Sequence, residues 1–187
     1  MKVLIVVDVQ NSFLPGGSLA VLNGDAVISP LVAAAKNVNL VVATRDFHPA
    51  NHCSFVENGG TWPAHCMKGT PGAALAPEID EIADIVISKG TKTEFDSYSG
   101  FQGTELSTIL DSYDAKAVII GGLATDYCVK STVLDSLALG YPTFLLTDAI
   151  KAVNVNRGDG EKALDEMLKA GVLLTTVEKL LASSRTL

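Results

Sequence analysis

Ala117-Val118-Ile119-Ile120-Gly121-Gly122-Leu123-Ala124-Thr125-Asp126-Tyr127-Cys128-Val129 decides the fold. It opens on an unbroken apolar run, Ala117 to Ile120, and a strand without polar alternation is one buried on both faces. Beyond Cys128, apolar residues recur at Val129, Val133, Leu134 and Leu137, the spacing of a helix, and Gly140 closes the pattern. The stretch reads as buried strand, tight turn and helix, with a thiol at the turn. A helix N-terminus offers free N–H groups and the positive end of the dipole, which favour a thiolate and an oxyanion. Taken alone, a cysteine in such apolar company is most often a small core residue, so its surroundings have to decide.

Outward from this stretch, short β-branched runs recur at Val3 to Val7, Leu40 to Ala43, Ile85 to Ser88, Thr143 to Leu146 and Val172 to Thr176. Helical patterns fall between them at Ala26 to Lys36, Glu105 to Leu110, Thr125 to Leu139 and Glu161 to Lys169, with Asp159 as a cap and Gly171 as a stop. Continuous apolar strands alternating with helices predict an α/β fold: a three-layer α/β/α sandwich around a six-stranded, mainly parallel, Rossmann-like sheet. The long irregular stretch is His48 to Pro77, rich in Gly, Pro and Asn, and an ordered loop of that length is usually functional.

With 187 residues, the chain reads as a single domain spanning 1–187, large enough to bury roughly 70% of its unfolded surface. A hydrophobic content of 48% with only 6% aromatic residues predicts an aliphatic core. The net charge of −7 argues against a nucleic-acid partner, which would want clustered Lys and Arg. Cys53, Cys66 and Cys128 are odd in number and lack Cys-x-x-Cys spacing, so no disulfide framework is implied and a reducing, cytoplasmic setting is expected. The apolar opening Val3 to Val7 is too short for a signal peptide, and no run approaches the length of a membrane span.

In an open parallel sheet, ligands bind beyond the carboxyl ends of the strands where strand order reverses. The polar residues fall there. Asp8 ends the first strand, Asp46 and His48 lie past the second, Lys89 ends the third, and the Cys128 turn follows the fourth. If the first and fourth strands are neighbours, Asp8 and Cys128 face each other across the crevice. Asp8 follows an apolar strand, so desolvation should raise its pKa toward the range useful for proton transfer, although a strand-end Asp also caps turns. Lys89 either snorkels to solvent or, beside a thiol, lowers the thiol pKa.

Asp46-Phe47-His48 places a carboxylate and an imidazole on one side of an extended chain, so both can converge on one ion. A third ligand is needed, and His52 and His65 are the other two histidines of the chain, although loop histidines are commonly just solvated. Cys66, next to His65, points away in an extended chain. Phe13, Trp62 and Tyr98 lie in loops that flank the same crevice, where a small planar substrate stacks on such rings.

These blocks match a known family. Val7-Asp8-Val9-Gln10-Asn11 with Phe13 and Pro15-Gly16-Gly17-Ser18-Leu19, Thr44 to His52, Thr61-Trp62-Pro63-Ala64-His65-Cys66, Lys89-Gly90, Asp96-Ser97-Tyr98-Ser99 and Gly122 to Val129 resemble the nicotinamidases, also called pyrazinamidases, within the isochorismatase-like cysteine hydrolases. The resemblance covers nearly the whole chain. It implies a catalytic triad of Asp8, Lys89 and Cys128, an oxyanion hole from the N–H groups of Ala124, Thr125 and Cys128, and substrate contacts from Phe13, Trp62 and Tyr98. It further implies one divalent metal on Asp46, His48 and His65, with zinc first and iron or manganese as alternatives. A cis peptide is expected between Ala124 and Thr125.

The implied reaction is hydrolysis of nicotinamide, and of pyrazinamide, to the acid and ammonia through a cysteine thioester, as in NAD salvage. The implied partner is that small molecule, with no nucleic acid and no membrane, and a homo-oligomer is compatible with the pattern. Ser12 stands where the family commonly carries an acidic residue. Two rival readings are a metal-independent amidohydrolase of ureido or carbamoyl compounds, which generally lacks the histidine trio, and a non-catalytic binding module, which would have lost a catalytic residue; none is missing here.

Overall fold

A computed structural model describes residues 1–183. Six strands, β1 (Lys2–Val7), β2 (Leu40–Asp46), β3 (Ile85–Lys89), β4 (Ala117–Leu123), β5 (Thr143–Lys151) and β6 (Leu173–Thr175), form one sheet in the order β3-β2-β1-β4-β5-β6. All five neighbouring pairs are parallel. Parallel neighbours require crossovers, and helices α1 (Ile28–Ala35), α2 (Pro77–Ile82), α3 (Leu106–Ser112), α4 (Lys130–Ala138) and α5 (Asp159–Lys169) supply them, with α6 (Val177–Ser183) following the last strand.

Successive strand residues point to opposite faces, so β1 divides its side chains between two cores. Leu4 and Val6 pack with Leu31 and Ala34 of α1, Ile79 of α2 and Leu180 of α6. Val3, Ile5 and Val7 pack with Leu106 and Leu110 of α3, Val133 of α4 and Met167 of α5. Cys128 belongs to this second core. The expected three layers are therefore present, and the sheet is wholly rather than mainly parallel.

The chain winds outward through β2 and β3, then returns to place β4 on the free side of β1. This reversal is the topological switch point, where the polypeptide leaves adjacent strands in opposite directions and opens a crevice. Gly122 permits the close approach of β4 there: its φ is +125°, and a Cβ would lie 2.2 Å from the Val7 carbonyl oxygen.

Several boundaries differ from the sequence reading. β4 continues through Gly121-Gly122 to Leu123, since glycines lower strand propensity without ending the ladder to β1. The chain reversal consequently falls earlier than expected, and the cis peptide joins Leu123 to Ala124 rather than Ala124 to Thr125. The helix expected from Thr125 to Leu139 opens as a wide π-type turn over Thr125–Val129, with the Val129 N–H bonded to the Ala124 carbonyl at 3.1 Å, before α4 proper. Such turns inside helices often mark functional positions. Asp159 is not the cap of α5: Gly158, at φ 88°, occupies that position, and Asp159 accepts the Asn156 N–H at 2.8 Å. Gly140 and Gly171 do follow their helices at positive φ. Two short helices, α2 and α6, were too brief for a periodic signal.

Candidate active site

Because parallel strands all end on one edge of the sheet, β1, β2 and β3 deliver Asp8, Asp46 and Lys89 to the same place, and the turn after β4 adds Cys128. All four are buried. Lys89 Nζ lies 2.5 Å from Asp46 Oδ1, 2.9 Å from Asp8 Oδ2, 2.9 Å from the Ser97 carbonyl and 3.5 Å from Cys128 Sγ. Asp8 sits in the left-handed region at φ 49° where β1 ends and the backbone turns away. Thr44 donates its hydroxyl to Asp8 Oδ1 at 2.7 Å. Asp8 Oδ2 is buried without a directional hydrogen bond, even though the ammonium is 2.9 Å away. That oxygen is held by the Lys89 ammonium, which also reaches Cys128 Sγ.

Charge follows from this packing. Burial pushes Asp8 above the ordinary carboxylate range, and Lys89 only partly offsets it. Burial acts on Asp46 in the same direction, but Lys89 and His48 together outweigh it and hold Asp46 below that range. Burial alone would pull the Lys89 ammonium down, yet Asp46 and Asp8 keep it well above the usual lysine value. For Cys128, burial raises the thiol, and Asp8 and Asp46 add to it against the attraction of Lys89. Lys89 lowers the thiol as its position suggests, but burial and the two carboxylates outweigh it, so the thiol lies above its ordinary value.

Asp46, His48 and His65 present one ligand atom each within 4.8 Å of one another, a group that fits a divalent metal. His48 Nδ1 faces the Gly90 carbonyl at 2.8 Å and His65 Nδ1 faces the Pro63 carbonyl at 2.8 Å. A carbonyl can only accept, so each Nδ1 carries the hydrogen and each Nε2 lone pair is left for an ion. His48 Nε2 lies 3.6 Å from Asp46 Oδ2, the oxygen that Lys89 does not hold. His52 stacks on His48 at 4.0 Å between ring centroids, but its nitrogens face Ser54 Oγ at 2.7 Å and the Phe95 carbonyl at 3.2 Å. It supports the trio from behind. Cys66 lies outside it, as expected; burial keeps its thiol protonated, and its N–H donates to Ser12 Oγ at 3.0 Å.

A cavity of about 480 Å³, counting its open mouth, joins these groups: Cys128, Asp46 and His65 line it together with Phe13, Trp62 and Tyr98. All three aromatic residues singled out from the sequence are therefore on its wall. Tyr98 receives the Trp62 indole N–H at 3.0 Å, fixing both rings. Sequence reasoning missed Tyr127, whose ring meets Trp62 edge-on at 5.1 Å; its place just before Cys128 was the available signal. It also missed Leu19, Val21, Asp96 and Val153 on the wall, and of these Val153 had no local signal. Val153 arrives because buried Asp126, two residues before Cys128, accepts the N–H groups of Val153 at 2.9 Å and Asn154 at 2.7 Å.

Comparison with known proteins places the fold and the sequence in a family. Residues 2–179 match the isochorismatase domain family. The chain is 41% identical over 186 residues to the nicotinamidase/pyrazinamidase of Mycobacterium tuberculosis, covering 93% of this chain and 98% of that protein. Its fold matches the pyrazinamidase of Pyrococcus horikoshii in complex with zinc with a TM-score of 0.88 at 44% identity, over 94% of this chain and 98% of that one. It matches PnC1 from L. infantum in complex with nicotinate with a TM-score of 0.90 at 37% identity, over 95% of this chain and 93% of that one. By sequence and by fold, the chain belongs to the isochorismatase family and stands among its nicotinamidases and pyrazinamidases.

Proposed function

We propose that the chain is an amidohydrolase that converts nicotinamide, and pyrazinamide with it, to the carboxylic acid and ammonia, with Asp8, Lys89 and Cys128 as its catalytic residues. The observation that carries the assignment is the burial of Asp8 and Cys128 around one ammonium, with Lys89 Nζ 2.9 Å from Asp8 Oδ2 and 3.5 Å from Cys128 Sγ. The kinship with nicotinamidases, and the nicotinate bound in one structural relative, support the substrate.

In this reading Asp8 Oδ2 takes the Cys128 proton as sulfur bonds to the carboxamide carbon. The N–H groups of Ala124, Thr125 and Cys128, at the opening of a helical turn, hold the oxyanion, and loss of one such donor typically costs about 3–4 kcal/mol. Protonated Asp8 then gives its proton to the nitrogen, the C–N bond breaks, and ammonia leaves a thioester on Cys128. Water attacks that thioester while Asp8 takes one of its protons. The C–S bond breaks, the proton returns to sulfur, and the acid departs. Lys89 keeps its charge throughout, orienting Asp8 and offsetting negative charge as it passes between oxygen and sulfur. Phe13, Trp62 and Tyr98 hold the ring. Asp46, His48 and His65 would hold a divalent metal, for which we assign zinc ahead of iron or manganese, and it would supply Lewis acidity toward the substrate ring.

The chain is read as one hydrolase domain over 1–187, at work in the cytoplasm, where its free thiols Cys53, Cys66 and Cys128 stay reduced. No helix among the described residues is long and apolar enough to cross a membrane. The test is ammonia release from nicotinamide by wild type, Cys128→Ala and metal-stripped protein, with elemental analysis of the metal. Activity in wild type alone is expected. Fully metallated wild type that is inert toward both nicotinamide and pyrazinamide would overturn the assignment.

A further inference from the structure

Gln10 is fully buried, and its side-chain amide makes three hydrogen bonds. Their origin lies in how β1 ends. β1 and β2 pair in register as far as Val7 and Thr44, and the Asp8 N–H still reaches the Thr44 carbonyl at 3.2 Å. In a continued parallel ladder the next bonds would run from the Asp46 N–H to the Asp8 carbonyl and from the Gln10 N–H to the Asp46 carbonyl. The turn at Asp8 prevents both, because the Gln10 N–H folds back onto the Asp8 carbonyl at 2.9 Å. Asp46 is left with a buried donor and a buried acceptor on that side. The Gln10 side chain, itself an amide, replaces both lost partners: Oε1 accepts the Asp46 N–H at 2.7 Å and Nε2 donates to the Asp46 carbonyl at 2.8 Å. Its second N–H goes to the Ala73 carbonyl at 2.9 Å.

From these contacts we infer that Gln10 is a positioning residue for the metal centre, a surrogate strand that fixes Asp46 while β1 diverges to open the crevice. On the other side Asp46 is in register with Lys89 of β3. Clamped from both sides, its carboxylate has one oxygen on Lys89 and the other facing His48. Releasing one clamp moves the ligand, not merely the loop. Glutamate at position 10 would keep the acceptor but turn a carboxylate oxygen toward the carbonyls of Asp46 and Ala73; methionine would remove all three bonds at similar length.

This inference rests on the metal site assigned above, and zinc binding tests the two separately. The zinc Kd is measured by competition with a chromophoric chelator, and the Co(II) absorption spectrum reports ligand geometry, for wild type, Gln10→Met, Gln10→Glu and Asn11→Ala. Asn11 ties the same loop to the Pro71 carbonyl at 2.9 Å without touching Asp46, so Asn11→Ala controls for loosening alone. Both Gln10 variants are expected to bind zinc about tenfold to a hundredfold more weakly and to change the cobalt spectrum, with Asn11→Ala like wild type. Wild-type zinc affinity and spectrum in whichever Gln10 variant folds, or the same loss in Asn11→Ala, would overturn the positioning role and leave the metal site standing. A wild type that binds no zinc, cobalt, iron or manganese would overturn both.

Discussion

Replacing Lys89 with methionine keeps the length of the side chain and removes the one cation that two buried carboxylates share. Asp8 Oδ2 and Asp46 Oδ1 lie 2.9 Å and 2.5 Å from its nitrogen, and both residues are buried. Deleting one partner of a buried ion pair commonly costs about 3–5 kcal/mol, because the charge left behind has neither water nor a counter-ion. For a chain of this size that corresponds to a fall in Tm of about 6–20 °C. The loss must also depend on pH. In wild type, Asp46 is held below the unfolded value, so its stabilisation is present above that value and fades as pH falls toward its folded pKa. In the variant burial pushes both carboxylates up with no ammonium to offset it, so the molecule is most stable where they are protonated and weakens as pH rises. The wild-type Asp46 contribution fades only below the ordinary carboxylate range, so between about pH 8 and about pH 5 it is the variant's raised carboxylates that narrow the gap on acidification. Urea unfolding of metal-free protein in chelator, from about pH 8 to about pH 5, measures that gap directly. Equal stabilities at the alkaline end, or a gap that stays constant with pH, would refute the shared-cation account.

Gly90→Ala would set a Cβ 2.4 Å from His48 Cε1 and 2.7 Å from its Nδ1 at a φ of +59°; a backbone penalty of about 1–2 kcal/mol and zinc binding weakened at least about tenfold are expected, and an unchanged zinc Kd in a chelator competition would count against this placement of His48. Asp126→Asn exchanges one of two acceptors for a donor facing a backbone N–H, so Val153 and Asn154 should lose hydrogen-exchange protection worth about 1–3 kcal/mol and KM for nicotinamide should rise. Unaltered exchange at both amides would break the link between the nucleophile turn and Val153. Tyr98→Phe removes the acceptor of the Trp62 indole N–H, and a KM increase of about fivefold, roughly 1 kcal/mol, with little change in kcat is expected from steady-state kinetics.

The inner strands were legible because strands buried on both faces must be continuously apolar, as Val3 to Val7 and Ala117 to Ile120 are, while the edge strands β3 and β6, partly exposed, showed through their short apolar runs. Strand ends were less legible. β5 runs on through Thr147 and Asp148 to Lys151, polar residues that the sequence reading took for its limit. The groups now placed around Lys89 were legible for a topological reason: a chemically active residue directly after a buried apolar run has only the strand edge to occupy. What escaped depends on loop conformation. Nothing periodic ties Val153 to Asp126, whose bonds span 27 and 28 residues. Gln10 looked like one polar residue among several after Asp8, because its task appears only once the turn at Asp8 has left Asp46 unpaired.

The thiol shows a correctly read attraction outweighed by its surroundings. A lysine nearby suggested a lowered pKa, yet the same burial that strengthens the Lys89 attraction also removes the water that would solvate a thiolate, and Asp8 and Asp46 repel one. The same burial raises both the Cys128 thiol and the Asp8 carboxyl, and in the proposed reaction a proton passes between Sγ and Oδ2. Lys89 stabilises the ion on whichever side the negative charge resides. In the proposed reaction the cluster acts as a buried proton-transfer pair with a shared cation, an arrangement available only because β1, β2, β3 and the turn after β4 end within reach of one ammonium.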